Sequence, residues 1–284
     1  MQRDMVAMAT LAASNAETAV AGLRTSFRRA GQGAPLLLLH GWGGSSRLWH
    51  YTLRDLADRY TLIAPDLPGF GSSPPLTGRL SLERLADWVI AFADSLGIER
   101  FAINGHSLCA AVAVHVAARY PDRVTRLVLT SFSTFRDERE RRVVASIHHL
   151  MALWLALRRP WMLDVQPIMR LVGNRFFYRL PADHGILRET FADFLAMEQR
   201  TALETARGAG SPTISGAMAA VRAPSLIIAC RHDQIMPPPG APVAASRIPR
   251  CRLVWIEQCG HLPMLERPQE YHAILTEFLE ESPA

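Results

Sequence analysis

Residues 101–111 constrain the fold of this chain most strongly, because an apolar run ends there in Gly-x-Ser and an Ala- and Val-rich run follows at once. This order predicts a strand, a sharp turn and a helix, with Ser107 at the apex of the turn. A serine hydroxyl is a good nucleophile when it projects from the backbone and a base can reach its proton. Gly105 leaves room for such a turn, although Cys109 stands where a second glycine is usual. Ser107 is therefore a candidate nucleophile.

Similar apolar runs alternate with segments of helical character along much of the chain. Continuous apolar runs are typical of strands that a parallel sheet buries on both faces. Residues 18–28 differ, because Gly22 separates two short segments in the manner of a hairpin turn. We therefore predict an α/β fold with a mostly parallel sheet. The predicted strands beyond the hairpin lie at residues 35–39, 60–64, 101–104, 126–130, 223–230 and 252–256.

Composition excludes several classes of function. The 284 residues are 49% hydrophobic and 20% charged, which is typical of a globular protein, and we expect no membrane span because no apolar run is long enough. The sequence contains no lysine, which excludes a Walker-type phosphate loop and a Schiff-base mechanism. The net charge of +5 is spread along the chain and accompanies no nucleic-acid-binding motif, so we expect no nucleic-acid partner.

The N-terminal segment and the cysteines bear on location. Residues 1–16 are predicted to be an N-terminal extension; Asp4 and weak hydrophobicity argue against a secretory signal there. The cysteines show neither the pairing of a zinc site nor the density of a disulfide scaffold. We therefore expect reduced thiols and a cytoplasmic location. The cysteines are Cys109, Cys230, Cys251 and Cys259.

A glycine-rich turn at residues 40–46 follows the predicted strand 35–39. Its glycines allow the backbone to point an amide into a site at the strand end, and Trp42 is the best placed residue to supply it. Paired with the amide of Leu108, it would form an oxyanion hole for a tetrahedral intermediate. An ordinary strand-to-helix loop is the alternative, because glycine marks turns of every kind.

The alternation of strands and helices stops at about residue 133 and resumes at about residue 211. We predict a core of residues 17–132 and 212–284 and a helical cap inserted at residues 133–211. Aromatic side chains are frequent in the cap, and we expect some of them to line an apolar substrate pocket while most pack the cap on the core. The candidates for substrate contact are Trp154, Trp161, Phe176 and Phe177.

Two later residues complete a candidate catalytic set. Asp233 follows the predicted strand 223–230, and His261 follows the strand 252–256 after Gly260. Because parallel strands end at one edge of a sheet, Ser107, Asp233 and His261 are expected to meet there as nucleophile, orienting acid and base. Asp66 is a weaker candidate acid, since it lies among turn residues and is better explained as a cap of the loop backbone. Cys109 is a weaker candidate nucleophile than Ser107, since it lies two residues beyond the apex of the turn.

These segments resemble those of the α/β-hydrolases, in the serine hydrolase branch that includes carboxylesterases. The resemblance implies an eight-stranded, mostly parallel sheet flanked by helices. It also implies that His261 removes the proton of Ser107, that Asp233 holds the imidazole, and that no metal or organic cofactor takes part. The matching pieces are His40-Gly41-Trp42-Gly43, the run from Asp66 to Ser72, Gly105-His106-Ser107, Asp233, and Gly260-His261 with Pro263 and Glu266.

The function implied by this resemblance is hydrolysis of a small carboxylic ester with an apolar acyl or alcohol group. A thioesterase and a dienoate-type carbon–carbon bond hydrolase stay open, although the latter usually carries His-Gly-x-Gly-Pro-Gly and Gly44-Ser45 follows Gly43 here. A non-catalytic ligand receptor on the same fold is a further alternative. Arg141 and Arg142 suggest an acidic acyl-carrier protein as a partner, although a solvated charged face explains them better.

Overall fold

The computed structural model describes residues 13–134, 139–140, 142, 157–181, 183–208, 211 and 213–282. Trp154 and Arg141 lie outside the described residues, as do residues 1–12 of the N-terminal extension and much of the apolar segment before residue 157. All statements below concern the described ranges.

One eight-stranded sheet forms the centre of the molecule, in the order β1-β2-β4-β3-β5-β6-β7-β8. Its central strands are mostly apolar because helices cover both faces. Leu36 to Leu39 of β3 are fully buried, and so is every residue of β5 and β7. The strands are β1 Ser14–Val20, β2 Leu23–Ala30, β3 Ala34–Leu39, β4 Tyr60–Pro65, β5 Phe101–His106, β6 Val124–Thr130, β7 Ser225–Cys230 and β8 Cys251–Ile256.

The sheet is parallel from β4 to β8, and only β1 and β2 run antiparallel to their neighbours. Ala21 and Gly22 join β1 to β2 with positive φ angles of 50° and 81°, the combination required by a tight type I′ hairpin turn. The predicted α/β fold with a mostly parallel eight-stranded sheet is confirmed. One boundary is corrected: β1 begins at Ser14, inside the predicted extension 1–16, because residues 14–16 pair with residues 27–29 of β2.

Helices form two groups around this sheet. α2, α3 and α7 contact one another, and α1, α9 and α10 contact one another. None of the helices in the described ranges is long and apolar enough to cross a membrane. The α-helices are α1 His50–Asp55, α2 Leu82–Ser95, α3 Leu108–Arg119, α4 Gln166–Phe176, α5 His184–Ala196, α6 Gln199–Gly208, α7 Thr213–Ala220, α8 Gly240–Arg247, α9 Pro263–Glu266 and α10 Pro268–Glu280, and 3₁₀ helices span Ser46–Trp49 and Pro160–Asp164.

The chain between β6 and β7 is helical where it is described, with the second 3₁₀ helix followed by α4, α5, α6 and α7. This agrees with the helical character predicted for residues 133–211. The division of the chain into a core and a cap stays a prediction. The segment matters for the site because α4 and α5 reach the carboxyl ends of the parallel strands, as the contacts below show.

Candidate active site

The turn between β5 and α3 holds Ser107 in a conformation that non-glycine residues rarely adopt, with φ 55° and ψ −121°. Its amide donates a 2.9 Å hydrogen bond to the carbonyl of Thr130 on the neighbouring strand β6. Gly105 makes the turn feasible, because a Cβ there would lie 2.2 Å from the carbonyl oxygen of Cys109. The strand, turn and helix predicted from the sequence are therefore present, with Ser107 at the apex.

Cys109 packs inside the protein, 1% exposed, just after this turn. Burial raises the pKa of its thiol, which suppresses the thiolate that a cysteine nucleophile needs. All four cysteines are free thiols in the structure, in line with the expectation of reduced cysteines. The cytoplasmic location inferred from them stays a prediction.

Ser107, His261 and Asp233 form a continuous chain of hydrogen bonds at the ends of β5, β8 and β7. The distance from Ser107 Oγ to His261 Nε2 is 3.0 Å, and that from His261 Nδ1 to Asp233 Oδ2 is 2.8 Å. All three are buried, with exposures of 7%, 3% and 5% respectively. A carboxylate can only accept hydrogen bonds, so Nδ1 carries the proton and Nε2 presents its lone pair to the serine hydroxyl.

The other carboxylate oxygen of Asp233 accepts hydrogen bonds from the amides of Ile235 at 2.8 Å and Met236 at 2.9 Å. These bonds orient the carboxylate. Asp233 thus caps the turn that follows it as well as contacting His261. Asp66, the weaker candidate acid, instead accepts from the amides of Ser46 and Ser72 and braces the loops that follow β3 and β4.

The backbone of His261 is held on both sides. Its amide donates to the carbonyl of Phe176 at 2.6 Å. Its carbonyl accepts from Ser131 Oγ and from His106 Nε2, each at 2.9 Å. Burial and the neighbouring His261 lower the pKa of His106 well below its ordinary value, so His106 stays neutral and keeps the proton on Nε2. Nothing in the sequence pattern singled out Ser131 or His106 for this role.

The glycine-rich turn after β3 lies directly against Ser107. A Cβ on Gly41 would approach Ser107 Cβ to 3.2 Å. His40 supports the turn, because its Nδ1 donates to the carbonyl of Gly41 at 2.9 Å while its Nε2 accepts from the amide of Leu67 at 3.0 Å. Trp42 is held by its side chain, whose indole N–H donates to the carbonyl of Ala202 in α6 at 3.2 Å.

Two backbone amides near Ser107 have no hydrogen-bond acceptor within the described ranges. Leu108 is the first residue of α3, and the first amides of a helix have no acceptor within it. The amide of Trp42 donates to no other group among the residues that the structure describes. These are the two residues predicted for an oxyanion hole, and they flank Ser107 on adjacent segments.

An apolar cavity of about 120 Å³ opens beside Ser107 and His261. Phe176 and Phe177, two of the predicted substrate residues, line it. Trp161 does not: it is 56% exposed and belongs to the 3₁₀ helix Pro160–Asp164, in which no residue is buried. Trp154 lies outside the described residues. Phe191 and Phe194, two further aromatic residues of the predicted cap, also line the cavity. The apolar lining that sequence reasoning missed includes Phe132, Val172 and Leu187.

These missed residues had no distinguishing signal, because apolar residues at helical spacing are indistinguishable from ordinary core positions before the packing is known. Among the described ranges, no group of three or more His, Cys, Asp or Glu side chains is arranged to hold a metal ion. The chemistry that the described groups can perform is attack by an activated hydroxyl on an electrophilic carbon bound in an apolar cavity, with two amides beside it.

Comparison with known proteins agrees with this geometry. The family model of the alpha/beta hydrolase fold matches residues 34–268. The pimeloyl-(acyl-carrier protein) methyl ester esterase of Aeromonas hydrophila is 30% identical over 268 residues, which cover 90% of this chain and 100% of that protein. The 2-hydroxymuconate semialdehyde hydrolase of a Pseudomonas species is 29% identical over 281 residues, which cover 94% of each.

A solved structure extends the likeness to three dimensions. The meta-cleavage product hydrolase of Pseudomonas fluorescens has a TM-score of 0.76 at 26% identity, and the match covers 94% of this chain and 98% of that one. The sheet order, the turn at Ser107 and the family match over most of the chain lead to one conclusion. The protein belongs to the α/β-hydrolase family.

Proposed function

We propose that the protein is a serine hydrolase that cleaves a carboxylic ester with an apolar acyl or alcohol group through an acyl-enzyme. The observation that carries the proposal is the hydrogen-bond chain from Asp233 through His261 to Ser107, which ends in an apolar cavity. A hydroxyl, a base with a free lone pair and an orienting carboxylate are the groups that acyl transfer to serine requires.

In the proposed reaction, Ser107 Oγ attacks the ester carbonyl while His261 Nε2 takes the hydroxyl proton. The carbonyl oxygen becomes an anion, which the amides of Trp42 and Leu108 stabilise; each such donor contributes on the order of a hundredfold or more in rate. The carbon–oxygen bond of the ester then breaks, and the alcohol leaves with the proton from His261. Water, deprotonated by His261, attacks the acyl-enzyme, and its proton returns to Ser107 as the acid is released.

The size of the cavity indicates the size of the bound group. Its volume of about 120 Å³ is close to that of an apolar cavity of about 150 Å³ that holds one benzene molecule. We therefore expect a short acyl chain or a single aromatic ring to fit better than a long alkyl chain. Helices α4 and α5 supply Phe176, Leu187 and Phe191 to the cavity wall. We propose that they belong to a cap beneath which the substrate binds.

The test is steady-state hydrolysis of p-nitrophenyl esters from acetate to dodecanoate by the protein and by Ser107→Ala. We expect the rate to peak at a short chain length, to decline towards dodecanoate, and to vanish in the variant. Equal rates for the two proteins would contradict the serine mechanism. A peak at dodecanoate would contradict the inferred pocket size.

A second candidate is cleavage of a carbon–carbon bond, because a 2-hydroxymuconate semialdehyde hydrolase and a meta-cleavage product hydrolase are among the similar proteins. The apolar cavity is compatible with either reaction. Assaying a dienoate substrate beside the ester and thioester series distinguishes them. A kcat/KM for the dienoate that exceeds the best ester value by more than about tenfold, the equivalent of about 1.4 kcal/mol, would favour this candidate.

The similarity to an esterase that acts on an acyl-carrier protein supports the predicted acidic carrier as a partner. Arg142 is exposed, and Arg141 lies outside the described residues. Activity on a carrier-bound ester that falls with ionic strength, and that falls further in Arg142→Glu, is the expected result. A receptor role would appear differently, as labelling of Ser107 by a fluorophosphonate in a protein that turns over no ester.

A further inference from the structure

Glu266 joins two segments that are far apart in the sequence. One of its carboxylate oxygens accepts hydrogen bonds from the amides of Gly260 at 2.8 Å and Tyr178 at 3.1 Å, and the other accepts from the amide of Arg179 at 2.7 Å. Hydrogen bonds between an ionised carboxylate and backbone amides are about twice as strong as those between neutral groups. The carboxylate therefore clamps residues 178–179 against the loop that carries His261.

The same two segments also meet through their backbones. The amide of His261 donates to the carbonyl of Phe176 at 2.6 Å. Gly260 permits this approach, because a Cβ there would lie 2.5 Å from the carbonyl oxygen of Phe176 and 2.7 Å from the amide of Tyr178. No other residue type fits at position 260 while this contact is kept.

Each segment carries a group that the proposed reaction uses. The loop after β8 carries His261, the base. The segment from the end of α4 carries Phe176 and Phe177, which line the cavity, and the Phe176 ring centroid lies 6.1 Å from that of His261. A displacement of the cavity wall therefore moves the acceptor of the His261 amide, and a displacement of His261 moves the wall.

We propose that Glu266 is a positioning residue that couples the aromatic wall of the cavity to His261. The inference rests on the proposed function of Ser107 and His261. A substrate that fills the cavity presses on Phe176 and Phe177 and holds the clamp together by its own contacts. A substrate too small to reach the wall lacks these contacts and depends on Glu266 to hold residues 178–179 against the loop of His261.

Substitution by glutamine separates these two situations. The amide NH₂ of glutamine is a donor, so Glu266→Gln places it against backbone amides that are donors as well, and at least one hydrogen bond is lost. Glu257 offers a matched control, since it lies in the loop that carries His261 but is exposed, and among the described residues it pairs only with the exposed side chain of Arg231.

The first measurement compares kcat and KM for p-nitrophenyl acetate and for the largest ester that the cavity accepts. We expect Glu266→Gln to lower kcat for acetate by about tenfold to a hundredfold, the size of effect produced by a misplaced catalytic group. We expect a loss of less than about threefold for the larger ester, because its binding restores the arrangement. An equal loss on both esters, or no loss relative to Glu257→Gln, would overturn the proposal.

The second measurement needs no turnover. Amide hydrogen exchange in Glu266→Gln should be faster than in Glu257→Gln both at residues 176–180 and at residues 257–262, because the clamp holds both. Faster exchange at both in a protein that hydrolyses no ester would preserve the coupling and reject the proposed function. Unchanged exchange in an active enzyme would reject the coupling alone. Should Glu266→Gln not fold, Glu266→Asp, which keeps the charge but shortens the reach, is expected to change both measurements in the same directions.

Discussion

Asp193 of α5 accepts a 2.5 Å hydrogen bond from Ser45 Oγ and also pairs with the guanidinium of Arg47. The carboxylate side chain is 4% exposed. Ser45 lies in the glycine-rich turn that contains Trp42, and Arg47 follows this turn. Asp193 therefore fastens α5, which supplies one wall of the cavity, to the segment that supplies one of the proposed oxyanion donors.

Replacing Asp193 by asparagine should destabilise the protein by about 1–3 kcal/mol, because buried polar partners lose a charged acceptor. Arg47 is half-exposed and recovers hydration, which keeps the cost below that of a fully buried pair. Urea unfolding measures the change. Asp164→Asn is the control, since its ion pair with Arg188 is exposed on both sides and should cost less than about 1 kcal/mol. Equal costs for the two variants would show that burial of Asp193 contributes nothing.

Phe176→Ala should lower kcat/KM for a short p-nitrophenyl ester by about tenfold, since removing an apolar contact from a substrate pocket costs roughly 1–3 kcal/mol. The optimum chain length should also move to a longer ester, because the cavity grows. Trp161→Ala removes an aromatic residue of the same helical region that is exposed and does not line the cavity. Its kinetics should match those of the unsubstituted protein. A loss in Trp161→Ala that equals the loss in Phe176→Ala would contradict the assigned cavity wall.

Gly105→Ala should unfold the protein or cost more than about 2 kcal/mol, because the added Cβ would lie 2.2 Å from the carbonyl oxygen of Cys109 and the turn must open. Gly216→Ala provides the contrast. Gly216 lies in α7 with no atom within 4 Å of an added Cβ, and alanine is favoured over glycine in a helix by about 1 kcal/mol. Thermal unfolding should show opposite shifts of Tm for the two variants. A tolerated alanine at position 105 would refute the steric argument for the turn.

His272 should make the protein less stable as the pH falls below neutrality. Burial lowers the pKa of His272 to about 4. The carboxylate of Asp55 opposes this effect, and the guanidinium of Arg54 adds to it slightly. Between about pH 6.5 and pH 4 the unfolded chain binds a proton that the folded protein does not, so the free energy of unfolding decreases by about 2 kcal/mol from pH 7 to pH 5 on this account.

Urea titrations at pH 7 and pH 5 test this dependence. In His272→Gln the decrease in the free energy of unfolding between pH 7 and pH 5 should be smaller by about 2 kcal/mol. Some decrease should remain, because burial also lowers the pKa values of His40, His106 and His115. An unchanged pH dependence in the variant would show that His272 is not the group that titrates.

The sheet and the hydrogen-bonded residues Ser107, Asp233 and His261 at its carboxyl end could be predicted because short stretches of sequence indicate them. Apolar runs mark the buried strands, and Gly105 and Gly260 mark turns where backbone must pass closely. Strand β1 was missed over residues 14–16 because an edge strand is largely exposed and carries no apolar alternation. The pattern of one sequence likewise contains nothing to show that Ser131 supports His261 or that Asp193 reaches Ser45, since both contacts connect residues that meet only after folding.

Trp161 shows why an aromatic residue in a helical segment is a weak predictor of a binding site. Its exposure depends on which side of a short 3₁₀ helix faces the core, and this is settled by the packing of α4 and α5 against that helix. Phe176 and Phe177 line the cavity because the backbone at this point packs against Gly260. The local sequence pattern does not reveal this contact either.

Ser107 and His261 are separated by 154 positions in the chain, and His261 follows β8, an edge strand that pairs only with β7. Contacts of such long range form slowly during folding, because a large loop must close before they stabilise the chain. A refolding molecule can thus complete most of its sheet while its serine still lacks a base. The rate at which Ser107 becomes reactive toward a fluorophosphonate during refolding would then report when β8 joins the sheet. We expect this reactivity to return later than the secondary structure.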